Sequence, residues 1–213
     1  MIVTRTPFRI TLGGGGTDLA DYYSKYGGFI FSVGIDKYMF INVNHPIVDD
    51  LIRVKYSKSE IVSHRDELQH EIAREALRMK DIQRGIEIIS LADVPAGTGL
   101  GSSSAYAVGL LNALHTYLRD YISLQDLAEE ACKLEIEILK KPIGKQDQYM
   151  SAFGGFTVLE IAEDGKVRVK KANIKDDVKE ELNQNMLIFY TNTSRNSEII
   201  LREQTSSLKE EKK

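Results

Sequence analysis

The apolar residues of this chain follow two rhythms, one of period two and one near 3.6, and their alternation sets the expected elements. Residues 2–12 alternate as a strand, with Arg5 and Arg9 on the same side. "LGGGGTD" (12–18) reads as a loop and 19–26 as a short helix. Residues 28–44 are rich in β-branched and aromatic side chains and predict two strands meeting at Gly34, and 52–56 predicts another. Leu68, Ile72, Ala76 and Met79 keep one face of a helix over 65–79, and "GIEIISLADV" (85–94) reads as a strand. Leu111, Leu114 and Leu118 then share one side of a helix.

Ser123, with Asp126 three residues on, is a variant capping box that begins a further helix, which Pro142 ends. Residues 154–172 predict a hairpin turning at Asp164-Gly165. Residues 186–191 read as a strand, and 196–213 as a polar helix. There is no internal repeat and no low-complexity linker. The irregular order of strands and helices predicts an α+β body, not a regular βαβ alternation.

Composition narrows the classes of function. With 213 residues, 42% hydrophobic and 28% charged, the chain supports one large domain, or one domain and part of another. A net charge of −3 and scattered basic residues argue against a nucleic-acid partner. Cys132 stands alone, which excludes an intrachain disulfide and a thiolate metal cluster. The start, Met-Ile-Val-Thr-Arg-Thr-Pro, has charge and proline where a signal peptide is apolar, and no run nears the ~18 apolar residues of a membrane span. The expectation is a cytoplasmic protein.

"PAGTGLGSSSA" (95–105) is the unusual stretch, since glycines and serines crowd the entrance to an apolar helix. Three readings compete: a plain N-cap with a flexible lead-in, a Walker-type loop, and another kind of anion cradle. The Walker pattern needs a lysine that this stretch lacks. The cradle accounts for both residue types: glycines let backbone N–H groups approach phosphate oxygens, the helix start carries about half a positive charge, and Ser102, Ser103 and Ser104 add hydroxyls. Glu135 falls in the apolar stripe of the 123–141 helix with Ala128, Ala131 and Ile138. It reads either as a salt-bridged carboxylate or, with Ser103, as a hard-oxygen ligand for Mg²⁺. In "KPIGKQDQYMSAFGG" (141–155), Asp147 opens a short helix, as an N-cap or as the group that takes the proton of an attacking hydroxyl. "TPFRITLGGGGTDLADYY" (6–23) carries a second glycine loop, a tight turn or a polyol contact through Asp18.

Together these segments resemble the GHMP kinase superfamily, named for galactokinase, homoserine kinase, mevalonate kinase and phosphomevalonate kinase. "TPFRITLGGGGTD" is similar to its first motif, "PAGTGLGSSSA" to its second, and "GKQDQYMSAFGG" with Glu135 upstream to the region of its catalytic aspartate. Within it, "LGGGGTDL", "GKQDQY" and "YTNTSRNSEII" most resemble the branch of the D-glycero-D-manno-heptose 7-phosphate kinases and fucokinase-like sugar kinases. The resemblance implies a ribosomal-protein-S5-domain-2-like N-terminal domain over 1–153, then a linking hairpin and the beginning of a truncated α/β C-terminal domain over 154–213. It implies ATP and Mg²⁺ as cofactors and a sugar or sugar phosphate as substrate.

By position, Asp147 takes the catalytic role with Arg9 beside it, and Ser103 and Glu135 take the metal. Pro95, Gly97, Thr98, Gly99, Leu100, Gly101, Ser102, Ser103 and Ser104 take the triphosphate. Gly14, Gly15, Thr17, Asp18 and Arg195 take the substrate, Arg195 by way of a sugar's own phosphate. Gly15-Gly16 stands where many members carry Glu-His, which argues against simple galactose chemistry. Family members run longer, so the expectation is either a fragment or a chain that a second chain completes. The rival readings are another sugar kinase of the superfamily, fucokinase- or galactokinase-like, and a truncated module that binds nucleotide or sugar without catalysis. An isoprenoid alcohol as substrate fits the first loop less well.

Overall fold

One 17-residue strand, β2 (Gly28–Asn44), organises the sheet. In the computed structural model of the protein, which describes residues 1–191, β1 (Ile2–Gly13) runs antiparallel along its whole length on one edge. The other edge of β2 is shared. Residues 28–33 pair with β6 (Phe156–Ile161), and residues 39–44 pair with β5 (Ile86–Ala92). Beyond β5 lie β3 (Ile52–Lys55), parallel to it, and β4 (Ser59–Val62), while β7 (Val167–Lys171) closes the hairpin with β6. The result is a seven-stranded mixed sheet.

Helices cover one face of it. Between α1 (Ala20–Tyr26) and α6 (Asp176–Asn185) come α2 (Glu71–Met79), α3 (Ser102–Leu118), α4 (Leu124–Cys132) and α5 (Gln146–Phe153). Helix α3 packs on β1 and β2 and is flanked by α2, α4 and α5. It is buried nearly all round, from Ser104 to Leu114, as expected of a helix that is apolar on every side. Gly109 sets its distance from the sheet. A Cβ there would stand 2.8 Å from Thr6 Oγ1 and 3.2 Å from Ile41 Cγ1, and Thr4 Oγ1 donates to the Gly109 carbonyl at 2.8 Å.

Several expectations change against this frame. Residues 28–44 are one strand, not two. Gly34 passes Gly155 closely enough that its N–H donates to the Gly155 carbonyl at 2.9 Å, and the irregularity lies in the β1 register between Pro7 and Arg9. The 65–79 helix divides into a 3-10 turn at Arg65–Glu67 and α2, whose cap is the His70 ring accepting from Ala73 N–H. The 123–141 helix keeps its Ser123 cap but passes after Cys132 into a π-helical turn, Lys133–Ile138. Strand β4 and helix α6 carried no expectation. Residues 186–191 join no ladder, and Leu187, Ile188, Phe189 and Tyr190 are exposed; strand propensity becomes a strand only where a partner edge completes it. The helix expected over 196–213 lies outside the described residues.

Gly109→Val should overpack the contact of α3 with the sheet, at a cost of about 1–3 kcal/mol. In a thermal scan that is a Tm lower by roughly 2–12 °C, and an unchanged Tm would show that the contact yields.

Candidate active site

Strand β5 ends at Ala92, and the chain reaches α3 through a loop in which Gly97, Gly99 and Gly101 all have positive φ, at 78°, 74° and 80°. Residues of alternating hand curl the backbone so that its N–H groups face one concavity, which favours an anion. Gly101 is also the N-cap of α3, and no side chain caps that end. The first-turn N–H groups and the positive end of the helix dipole therefore face the same hollow.

Glu135 lies directly beneath this entrance with no exposure at all. Its carboxylate is saturated from three directions. Ser103 Oγ donates to Oε1 and Ser104 Oγ to Oε2, both at 2.6 Å, and Gln148 Nε2 donates to Oε2 at 2.8 Å. Lys141 Nζ stands 3.6 Å from Oε1 and donates to Ser103 Oγ at 3.0 Å. The π-helical turn supplies the placement, with Leu139 N–H reaching the Leu134 carbonyl at 3.0 Å, five residues back.

Asp147, in the first turn of α5, faces the same entrance from the other side. Arg9 Nε and Nη2 both reach its Oδ1, at 2.7 and 2.6 Å, while Nη1 donates to the Gly99 carbonyl at 2.7 Å. Arg9 thus ties β1, the glycine loop and α5 together. A Cβ on Gly101 would lie 3.2 Å from Asp147 Oδ2, so the bare cap is also the space in which this carboxylate sits.

Asp18 is 7% exposed, on the floor of the cleft. Burial pushes its pKa up; the Gln146 N–H, donating to Oδ2 at 3.0 Å, works the other way, and the nearby charge of Asp147 raises it again. Gly144 is required there, because a Cβ would stand 1.9 Å from Asp18 Oδ2. Gln146 Nε2 donates to Ser32 Oγ at 2.7 Å and to Thr11 Oγ1, fixing the α5 entrance on the sheet.

These groups line one cleft of about 390 Å³, bounded by Arg9, Asp18, Gly97, Gly101, Ser103 and Asp147. A wider hollow of about 910 Å³ adjoins it, sharing Gly97, Ser102 and Ser103 and walled by Tyr56, Leu91 and Tyr106. Gly15 lies on the cleft, as Gly16 does. Gly14 and Thr17, expected as substrate contacts, do not reach it. Thr17 Oγ1 bonds the Gly14 carbonyl at 2.8 Å and the Phe29 backbone carbonyl at 3.0 Å, and a Cβ on Gly14 would strike that Phe29 carbonyl, so both fasten the loop to β2. Pro95 walls the wider hollow. Thr98 turns its hydroxyl to the Pro95 carbonyl at 3.2 Å, and Leu100 packs against the core. Arg195 lies outside the described residues. Lys141, Gln146 and Gln148 carried no expectation, and Gly144 only that of breaking the helix with Pro142; that break before a polar helix start was the signal pointing to them.

Ser103 and Glu135 fit a hard divalent cation, because they are paired oxygen donors at the mouth of an anion cradle with an ammonium already drawn to them. Among the described residues no cluster of three or more His, Cys, Asp or Glu could hold a metal by itself. That suits Mg²⁺, which usually takes one or two protein ligands and completes its shell with phosphate oxygens and water.

A mixed sheet, a glycine nest at a helix entrance, and two carboxylates beside it form a cleft on an α+β domain whose backbone favours an anion. Residues 67–155 match the model of the GHMP kinases N terminal domain, and the described residues have a mixed α+β fold. It is 29% identical over 222 residues to the D-glycero-alpha-D-manno-heptose 7-phosphate kinase of Campylobacter jejuni, covering 99% of this chain and 66% of that protein. It is 27% identical over 240 residues to the L-fucokinase/L-fucose-1-P guanylyltransferase of Bacteroides fragilis, covering 96% of this chain and 25% of that one. The crystal structure of a D-glycero-D-manno-heptose 1-phosphate kinase from Bacteriodes thetaiotaomicron superposes with a TM-score of 0.83 at 25% identity, over 98% of this chain and 72% of that one. The chain therefore spans less than two thirds of either curated relative. Among the described residues no helix is long and apolar enough to cross a membrane.

The buried Asp18 generates a pH-dependent prediction. Because the folded state favours its protonated form, Asp18 opposes folding above its raised pKa, and the handicap fades as the pH falls through that raised value and is gone below the ordinary 3.8. Asp18→Asn should raise Tm by a few degrees at neutral pH, with the difference from the parent shrinking on acidification. A difference constant with pH would refute it.

Proposed function

We propose that this chain carries the nucleotide-binding and catalytic part of an ATP-dependent sugar kinase, and that its substrate is D-glycero-D-manno-heptose 7-phosphate, phosphorylated at the 1-position on the route to nucleotide-activated heptose. One observation carries the kinase reading: Asp147, clamped by Arg9, lies against the same helix entrance that the Ser103–Ser104–Glu135 network floors. The substrate rests on the likeness to the Campylobacter heptose kinase along nearly the whole chain. In this reading residues 1–153 form the nucleotide-binding domain, and 154–213 are a linking hairpin, fastened to β2, and the beginning of a truncated C-terminal domain. Another sugar of the superfamily is the second reading, favoured by the likeness to the fucokinase.

The triphosphate of ATP lies on the glycine loop at the α3 entrance, with the base in the wider hollow beside it. Ser103 and Glu135 would hold Mg²⁺, which when bound would neutralise charge on the phosphate oxygens. Asp18 accepts from sugar hydroxyls, and Asp147 Oδ2 meets the attacking hydroxyl. The hydroxyl oxygen bonds to the γ-phosphorus as the β–γ bridging bond breaks; ADP leaves with that electron pair, and the hydroxyl proton passes to Asp147 and on to water. The transition state is loose, so most of the barrier reduction comes from alignment and from donors already in place. Arg9 locks the Asp147 rotamer and the Gly99 carbonyl together, which holds base and cradle in one geometry.

Asp147→Asn should lower kcat by about 10²–10⁴-fold with ATP affinity little changed; full turnover removes the role assigned to it. A coupled assay of ADP release across sugars and sugar phosphates tests the substrate, with the heptose 7-phosphate expected fastest. A faster fucose or galactose would transfer the reading to the second sugar class, and ATP binding without turnover of any would mark a binding module. Arg195 is proposed as the contact for the sugar's own phosphate, so Arg195→Ala should weaken the phosphorylated sugar far more than its unphosphorylated analogue, where equal losses would refute it.

A further inference from the structure

Lys141 is held at its root and loose at its tip. Its backbone N–H donates to the Glu135 carbonyl at 2.9 Å, just after Lys140 turns the chain with a φ of 54°. Its ammonium donates to Ser103 Oγ at 3.0 Å and stands 3.3 Å from Glu71 Oε1 and 3.6 Å from Glu135 Oε1, with the side chain 12% exposed. The two carboxylate contacts exceed the roughly 2.7–2.9 Å of a charge-assisted hydrogen bond.

Among the described residues, Arg9 and Lys141 are the cationic side chains lining the cleft. Arg9 has its guanidinium committed to Asp147 and to the Gly99 carbonyl. Lys141 has three rotatable donors on a flexible stem, and it rests beside the first turn of α3, where the cradle receives its anion. Its partners Ser103 and Glu135 are the two oxygen donors that fit a divalent cation. Glu71, at the start of α2 and beside the wider hollow, holds it from behind.

We propose that Lys141 is a nucleotide-phosphate-binding residue that competes with the divalent cation for Ser103 and Glu135, and that Glu71 restrains it from the phosphate. This rests on the reading of the cleft as a nucleotide site. Two consequences follow from the sharing of oxygens. Binding of a nucleoside diphosphate without metal depends on Lys141, and the metal binds more readily once the ammonium is gone.

The test is calorimetric titration with ADP, in chelator and across a Mg²⁺ series, on the whole chain. Lys141→Met should weaken metal-free ADP binding about tenfold and lower the Mg²⁺ concentration needed for half-maximal tightening, while Lys141→Arg retains metal-free binding. Glu71→Gln should tighten metal-free binding a few-fold, and should do nothing in the Lys141→Met background. Metal-free ADP binding in Lys141→Met equal to the parent's overturns the proposal. So does a Glu71→Gln gain that persists without Lys141, since Glu71 would then act by plain repulsion. If Lys141→Met does not fold, Glu71→Gln alone decides, and unchanged or weaker metal-free binding overturns it. A parent chain that binds no ADP, with or without Mg²⁺, overturns the nucleotide reading as well and is distinguishable on that ground.

Discussion

A carboxylate with no exposure to water sets the terms for the rest of this molecule. An unpartnered charge at Glu135 would cost several kcal/mol after relaxation, and the chain meets that cost by bringing three elements to one point. Ser103 and Ser104 come from the first turn of α3, Gln148 from α5, and Lys141 from the segment after the π-helical turn. Each must be in register for the charge to be satisfied. The same requirement therefore fixes the helix entrance against its neighbours, and the glycine loop with it. The π-helical turn is the local device that makes this possible, since its wider hydrogen-bond spacing re-aims Glu135 relative to a continuous α-helix.

A second tie runs through Arg9 and works from the sheet upward. Its guanidinium spans from β1 to Asp147 on α5 and to the loop carbonyl at Gly99, so the position of Asp147 relative to the cradle is set by the sheet itself. Glycine enters at the close approaches. Without a Cβ, Gly101 leaves room for the Asp147 carboxylate, and Gly144 leaves room for that of Asp18. Backbone bareness at these two positions admits acidic side chains and the anion cradle into one small volume.

Much of this was legible where a residue's role is local. The Ser123 cap and the Asp164-Gly165 hairpin followed from patterns a few residues wide, and the structure keeps both; β1 forms as expected, though its alternation holds only to Phe8, where the register shifts. The burial of Glu135 beside Ala128 and Ala131 was legible too, because a helix face repeats, but the stripe does not reach Ile138, which lies exposed at the end of the π-helical turn. What escaped depends on distant neighbours. Gly34 reads as a break between strands, and only Gly154 and Gly155 reveal it as a close crossing inside one strand. No proline or glycine stands in residues 133–138, so the hand-over after Cys132 into a π-helical turn left no local signal. Gly14 and Thr17 sit in a loop whose composition marks a site, yet β2 claims them. Lys141 was concealed inside a pair of lysines, of which one turns the chain and the other enters the cleft.

The charges around the cleft explain why so much of the site is backbone. Among the described residues Asp18 and Asp147 line it, with Glu135 buried beneath, against the two cations Arg9 and Lys141. Side-chain charge alone would not draw in a polyphosphate, and one of the two cations is committed to Asp147. Attraction must come from N–H dipoles in the glycine nest and at the α3 entrance, which carry positive potential without adding a residue that would neutralise the carboxylates. Replacing the cradle by lysines would bind the anion and silence Asp147 and Asp18 together. A bare backbone lets an anion-favouring nest and ionisable carboxyl groups share one small cleft, and the glycines at 97, 99 and 101 are the form this takes in the sequence.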